Sequence, residues 1–120
     1  MEQKKILVVD DDKWICKLLS DSLSKEGFIV EIASNGSIAF QVLNKFIPDL
    51  IILDIMMPVM SGFEFLEKFR QISAYTAIPI IILSAKGGEQ DIIRGLEYGA
   101  ANYLVKPFSP SIIITHVKNT

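Results

Sequence analysis

A chain of 120 residues, half of them hydrophobic, can form one domain with a single substantial core. A formal net charge of −2 is too acidic for a nucleic-acid-binding face, and no apolar run is long enough to span a bilayer. The single cysteine, Cys16, excludes an intrachain disulfide and is typical of a reducing compartment. The first predicted strand follows Lys5 directly, so we expect no signal peptide and a cytoplasmic location.

Five short apolar runs predict buried strands, and each is followed by a segment with helical periodicity. The predicted strands comprise residues 6–9, 28–33, 50–53, 79–83 and 103–105. The predicted helices comprise residues 13–26, 37–46 and 89–98, a third helix that starts at residues 61–62, and a last one that starts at Pro110. Residues 74–77 are expected to form a loop.

Capping and turn residues mark the ends of these elements. Asp12 and Ser109 are expected N-caps, and Gly27 and Gly99 are expected to end the first and fourth helices. Trp14 and Cys16 are expected to be packing residues of the first helix. His116 is expected to be solvated at the end of the last helix. The other helical residues expected to face the core are Ile15, Leu18, Leu19, Leu23, Ile38, Ala39, Val42, Leu43, Phe63, Leu66 and Phe69.

Strands that alternate with helices predict a parallel sheet covered by helices on both faces. The strand order that fits best is 2-1-3-4-5, that of a single (βα)5 flavodoxin-like domain. Glu31 interrupts the second run, which suits a strand at the edge of the sheet.

Polar side chains follow the strands that this order places side by side. They are Asp10 and Asp11, Asp54, Ser84 and Lys106. Three carboxylates that meet at one edge repel one another unless a cation joins them, and oxygen ligands without His or Cys favour Mg²⁺. An ammonium and a hydroxyl beside that metal suit phosphate oxygens, so the group predicts a phosphoryl site with a carboxylate nucleophile.

Taken singly, each of these residues has a structural explanation, such as helix capping for the acidic triplet or a turn hydroxyl for Ser84. Two other functions use a similar fold. A flavodoxin-like cofactor binder needs a Ser-, Thr- and Gly-rich loop after the first strand, where this chain is acidic. A magnesium-dependent phosphatase with an aspartyl intermediate usually has a second carboxylate two residues after the nucleophile, where Met56 stands.

Four stretches of the chain form an ordered set of motifs: residues 6–11, 53–58 with 61–62, 83–85, and 99–108. Through this set, the chain resembles the receiver domain of two-component response regulators over essentially its whole length. This resemblance implies that Asp54 accepts a phosphoryl group from a histidine kinase or phosphotransfer protein. It also implies a signalling domain rather than an enzyme, with Mg²⁺-dependent self-phosphorylation and slow autodephosphorylation only.

The resemblance also assigns roles around Asp54. Asp11, Asp54 and the backbone carbonyl of Met56 would bind Mg²⁺, or Mn²⁺ as a substitute, and Asp10 would act through water. The Lys106-Pro107 peptide bond would be cis. Ser84 and Tyr103 would be switch residues that control the surface of the fourth helix, fifth strand and fifth helix. Asp12 lies one position beyond the acidic pair and is not expected to be a ligand.

Two departures from the family pattern carry further expectations. Residues 112–114 are three successive isoleucines that cannot all face inward, because they span about 200° of a helix. We therefore expect an interface that includes Ile112, Ile114 and Tyr98, with a homodimer as one candidate. Met56 and Lys86 offer no carboxylate or amide to orient water, which predicts a comparatively long-lived phosphoryl group.

The expected organisation is a receiver domain over residues 1–120. Thr120 is either its natural end or a cut before a C-terminal output domain, and the few residues after Val117 favour a cut. A degenerate receiver that acts only as an interaction module remains the principal alternative. No direct contact with nucleic acid or membrane is expected of this domain.

Overall fold

The computed structural model describes residues 3–57 and 59–120. Pro58, which belongs to one of the matching stretches, lies outside the described residues, as do Met1 and Glu2. The strands are β1 (Lys5–Val9), β2 (Ile29–Ala33), β3 (Leu50–Leu53), β4 (Ile80–Ser84) and β5 (Asn102–Val105). The helices are α1 (Lys13–Lys25), α2 (Gly36–Leu43), α3 (Gly62–Arg70), α4 (Glu89–Glu97) and α5 (Pro110–Asn119). Among these helices, none combines the length and apolarity that crossing a membrane requires.

The five strands form one parallel sheet in the order β2-β1-β3-β4-β5, as predicted. β1, β3 and β4 are flanked on both sides, and their apolar residues are almost completely buried. α1 and α5 pack on one face of the sheet, while α2 and α3 cover the other. The flavodoxin-like prediction is therefore confirmed, including the position of β2 at an edge.

Side-chain caps start four of the helices where the sequence has Asp, Asn or Ser. The Asp12 carboxylate accepts the backbone N–H groups of Trp14 and Ile15, which confirms it as the N-cap of α1. Ser109 caps α5 in the same way, with Pro110 in its first turn. These caps satisfy N–H groups that have no partner inside the helix.

Three local predictions were wrong. Trp14 is 71% exposed rather than packed in the core, because the buried stripe of α1 runs through Cys16, Leu19 and Leu23. Ile38 is 37% exposed, because the buried stripe of α2 runs through Gly36, Ala39 and Leu43. The expected loop at residues 74–77 overlaps a 3₁₀ turn, Ser73–Tyr75, which the aromatic ring of Tyr75 anchors against Phe69.

A close backbone contact fixes the loop that follows β3. The Gly62 N–H donates to the Ile55 carbonyl at 3.0 Å. A Cβ at this position would lie 2.4 Å from the Ile55 Cα and 2.6 Å from the Asp54 carbonyl oxygen. Only glycine allows α3 to start this close to the chain around Asp54.

We predict that Gly62→Ala lowers the free energy of unfolding by about 2–3 kcal/mol, because backbone rather than a flexible side chain must move. Urea denaturation measures the change. Gly88→Ala is the matched control, since its φ is −68° and its Cβ would contact only the Asp91 carboxylate at 3.4 Å. We expect that variant to cost less than about 1 kcal/mol, and equal effects from the two substitutions would contradict this interpretation.

Candidate functional site

The backbone just beyond the strands continues the parallel ladder and brings the predicted polar residues to one edge. The Asp10 N–H donates to the Ala33 carbonyl at 3.1 Å, and the Asp54 N–H donates to the Val9 carbonyl at 2.9 Å. The Lys106 N–H donates to the Ser84 carbonyl at 2.8 Å. The carboxyl ends of four strands thus present their side chains to the same place, where ligands bind in open α/β sheets.

Lys106 bridges the two buried carboxylates of this edge. Its Nζ lies 3.0 Å from Asp10 Oδ2 and 3.3 Å from Asp54 Oδ2. The residues Asp10 and Asp54 are only 3% and 4% exposed. Buried carboxylates are unfavourable without a partner, so the ammonium is the group that makes this arrangement tolerable.

The second oxygen of each carboxylate is held by the backbone. Asp10 Oδ1 accepts the Asp12 N–H at 2.9 Å, and Asp54 Oδ1 accepts the Met56 N–H at 3.0 Å. Each side chain therefore has one oxygen on a backbone donor and one on Lys106. This pattern fixes the direction of both carboxylates before any ligand binds.

Burial and charge act in opposite directions on the pKa values of this group. Desolvation raises the pKa of Asp10, and the negative charge of Asp54 adds to that effect, while the Asp12 N–H and Lys106 oppose it. Desolvation would lower the pKa of Lys106, but its hydrogen bond to Asp10 and the charges of both carboxylates raise it. The site therefore carries surplus negative charge that one ammonium does not neutralise.

Asp11 completes a group of three acids. One carboxylate oxygen from each of Asp10, Asp11 and Asp54 lies within 4.8 Å of the others, and Asp11 is exposed to solvent. Hard oxygen donors with one side open to water suit Mg²⁺, which retains several of its own water ligands. Asp12 is used as a helix cap and does not belong to this group, as expected.

Comparison with known proteins agrees with this geometry. The family described as the response regulator receiver domain matches residues 6–118. The chain belongs to this family. It is 44% identical over 114 residues to a probable transcriptional regulator, ycf29, of Porphyra purpurea, a match that covers 95% of this chain and 54% of that protein. The chain spans about half the length of the curated relatives it matches.

Solved receiver domains have the same fold as this chain. The chemotaxis response regulator CheY4 of Vibrio cholerae superposes with a TM-score of 0.92 at 36% identity, covering 98% of both chains. A BeF3-activated DrrB receiver domain superposes with a TM-score of 0.87 at 30% identity, covering 98% of this chain and 97% of that one. The chain is thus a receiver domain, a signalling module of response regulators.

In this receiver domain, Lys86 links the two expected switch residues. The fully buried Ser84 Oγ accepts the Lys86 N–H at 3.2 Å. The Tyr103 hydroxyl donates to the Lys86 carbonyl from the edge strand. Both side chains therefore contact one peptide segment of the β4–α4 loop, while the Lys106-Pro107 peptide bond that follows β5 is cis.

Several contacts at the receiver site could not be read from residue types. The Met56 N–H orients Asp54, whereas the expected role of Met56 concerned its carbonyl. Cys16 is buried, and its Sγ donates to the Asp10 carbonyl at 3.2 Å. Trp14 lines an apolar groove beside Lys106. The only sequence signal for that groove was the position of Trp14, two residues after the acidic stretch.

The surplus charge makes the metal-free receiver less stable than it could be. Burial raises the pKa of Asp10 in the folded state above the ordinary pKa of an aspartate. The free energy of unfolding therefore falls as the pH rises from the ordinary pKa to the raised pKa of the folded state. We predict that Asp10→Asn raises the free energy of unfolding by about 1 kcal/mol at pH 7 without metal. Thermal unfolding in chelator measures this effect.

Added Mg²⁺ should reverse the order of stability, because the metal stabilises the wild type more than the variant. Glu67→Gln is the control, since Glu67 is an exposed acid on α3 that does not belong to the group of three acids. An Asp10→Asn variant that is less stable than wild type in chelator would be evidence against surplus charge at the site.

Proposed function

We propose that this receiver domain is a phosphorylation-activated switch whose acceptor is Asp54. The observation that carries the proposal is the position of this carboxylate, which is buried beside Lys106 in the group of three acids. Asp54 Oδ2 attacks phosphorus, and the bond from phosphorus to the donor nitrogen breaks. The electron pair leaves with the imidazole of a phosphohistidine, so the product is an acyl phosphate on Asp54.

The remaining groups neutralise charge during this transfer. Asp11, Asp54 and the Met56 carbonyl would hold Mg²⁺ directly, and Asp10 would contact it through water. The metal supplies positive charge at the transferring oxygens. Lys106 can hold a phosphoryl oxygen, since its ammonium already lies at hydrogen-bond distance from Asp54. Mn²⁺, with similar oxygen ligands, is a possible substitute.

The phosphoryl group adds negative charge and three acceptor oxygens to the site. The Ser84 oxygen accepts the Lys86 N–H, and its hydroxyl hydrogen can be donated to one of the phosphoryl oxygens. Movement of Ser84 toward the phosphoryl group would pull the Lys86 segment with it. A shift of this loop disturbs the bond between Tyr103 and the Lys86 carbonyl. The surface of α4, β5 and α5 is therefore the one that changes between the two states.

The partners follow from the same chemistry. The phosphodonor is a histidine kinase or a phosphotransfer protein, and it must approach the edge where Asp54 lies. The apolar groove beside Lys106, about 430 Å³ in volume, offers a docking surface there. Its lining side chains include Trp14, Leu18 and Phe108. The signal passes from this domain to a further domain or a separate protein. This domain itself makes no direct contact with nucleic acid, and it acts in the cytoplasm.

Acetyl phosphate with Mg²⁺ should add one phosphoryl group to the wild-type chain, and intact-mass spectrometry detects it. Asp54→Asn should abolish the added mass, whereas the control Asp49→Asn at the opposite end of β3 should retain it. Beryllofluoride with Mg²⁺ should change Trp14 emission in the wild type only. A wild-type chain that acquires neither the mass nor the emission change would favour the phosphorylation-independent interaction module.

The phosphoryl group should be comparatively long-lived. Met56 is 49% exposed and Lys86 is exposed, and neither side chain offers a carboxylate or amide oxygen that could orient an attacking water by accepting a hydrogen bond from it. We predict that Met56→Asn shortens the half-life of the phosphorylated chain about tenfold, measured by the decay of the added mass. Rapid decay in the wild type that Met56→Asn leaves unchanged would contradict this prediction.

A homodimer through α4, β5 and α5 is the proposed consequence of activation. Ile113 is fully buried and Ile114 packs against the core, so Ile112, at 50% exposure, is the isoleucine that remains for a partner. The interface would also include Tyr98. We predict that Ile112→Glu prevents self-association in beryllofluoride, measured by sedimentation, while Ile47→Glu on another face leaves it intact. Equal self-association of all three proteins would exclude Ile112 from the interface.

A further inference from the structure

The two ends of α4 are held very differently. At its amino end, the exposed residues Gly87 and Gly88 lead into the helix, and no side chain caps it. At its carboxyl end, the Gly99 N–H donates to the Leu96 carbonyl and the Ala100 N–H to the Gly95 carbonyl. Gly99 has a φ of +88°, so this end is a complete Schellman motif.

Arg70 adds a second attachment at the carboxyl end of α4. Its guanidinium donates to the Gly99 carbonyl at 3.0 Å, and also to the carbonyls of Ile78 at 3.1 Å and Thr76 at 3.3 Å. Among the described residues, no carboxylate forms an ion pair with Arg70. This cation therefore serves to join the end of α4 to the segment before β4, where it also complements the helix dipole.

The closest approach of α4 to the sheet is at Gly95, whereas Asp91 and Ile92 near its amino end are half-buried. Of the nine residues of α4, all within the part of the chain that the structure describes, only Gly95 is buried. A Cβ on Gly95 would lie 2.8 Å from both Ile82 Cδ1 and Tyr103 Cδ2. The helix thus rests on the Tyr103 ring through a glycine, one turn from the Arg70 attachment.

We propose that α4 is a lever whose fixed end is the contact of Arg70 with Gly99 and whose free end is Gly88. Arg70 is a positioning residue: it touches no reacting atom and lies at the end of the sheet opposite Asp54. A change at Lys86, next to the free end, swings the amino-terminal half of the helix while the carboxyl-terminal half stays in place. The proposal rests on the proposed phosphorylation for its trigger, but the fixed end exists in the resting state.

Amide hydrogen exchange of the full chain tests the lever, with beryllofluoride and Mg²⁺ as the activating probe. Residues 92–94 are the first of α4 whose N–H groups can bond within the helix, beginning with Ile92 N–H to the Gly88 carbonyl. In the resting wild type, they should exchange at least about tenfold faster than residues 95–102. Activation should change exchange in the first segment by about threefold or more and leave the second within about twofold. Equal protection of both segments at rest, or equal change on activation, would overturn the proposal.

Arg70→Gln should raise exchange of residues 95–102 about tenfold and let the activation-dependent change spread into them. Lys68→Gln is the matched control, because Lys68 is an exposed cation in the same last turn of α3 as Arg70. Arg70→Lys, which keeps the charge without the forked donor, should be intermediate. Exchange of β1 and β3 reports global destabilisation.

A rise in exchange that is uniform across the sheet and α4, with the difference between the helix ends preserved, would overturn the role of Arg70. Failure of the proposed phosphorylation looks different. In that case beryllofluoride leaves Trp14 emission and all exchange rates unchanged, whereas the resting difference between the ends of α4 and the effect of Arg70→Gln persist.

Discussion

The ammonium of Lys106 between two buried carboxylates is the interaction on which this site depends. Asp10 and Asp54 lie on neighbouring strands, and parallel strand ends bring them together whether or not their charges favour it. Lys106 arrives from β5, two strands away from β3, and its contacts link the centre of the sheet to its edge. The fold therefore brings negative charges together, and the ammonium of Lys106, near the end of the chain, offsets part of their repulsion and desolvation.

Much of the fold could be predicted because buried strands have a simple signature. Runs such as residues 50–53 and 80–83 are apolar on both faces, and caps such as Asp12 and Ser109 mark where helices begin. The site residues could be identified for the same reason, since each follows directly on a buried run. Individual helix faces were harder: Trp14 and Ile38 are apolar residues that lie just outside a buried stripe.

Contacts that depend on backbone approach could not be predicted from residue types. The backbone of Gly62 lies so close to Asp54 and Ile55 that a Cβ atom would not fit there. In the sequence, however, Gly62 is recognisable only as the residue that follows a helix cap. Arg70 is a basic residue at a helix end, where an exposed position is the usual outcome, but it binds three carbonyls. These contacts fasten the start of α3 to the chain around Asp54 and the carboxyl end of α4 to the segment before β4.

A double-mutant cycle between Lys106→Met and Asp54→Asn tests the central interaction most directly. Stabilities of the wild type, both single variants and the double variant would be measured by urea denaturation in chelator, so that no metal contributes. If the ammonium compensates the buried carboxylate, the two substitutions should couple by about 1–3 kcal/mol, with the double variant more stable than the sum of the single effects implies. Effects that add to within about 0.5 kcal/mol would contradict the account.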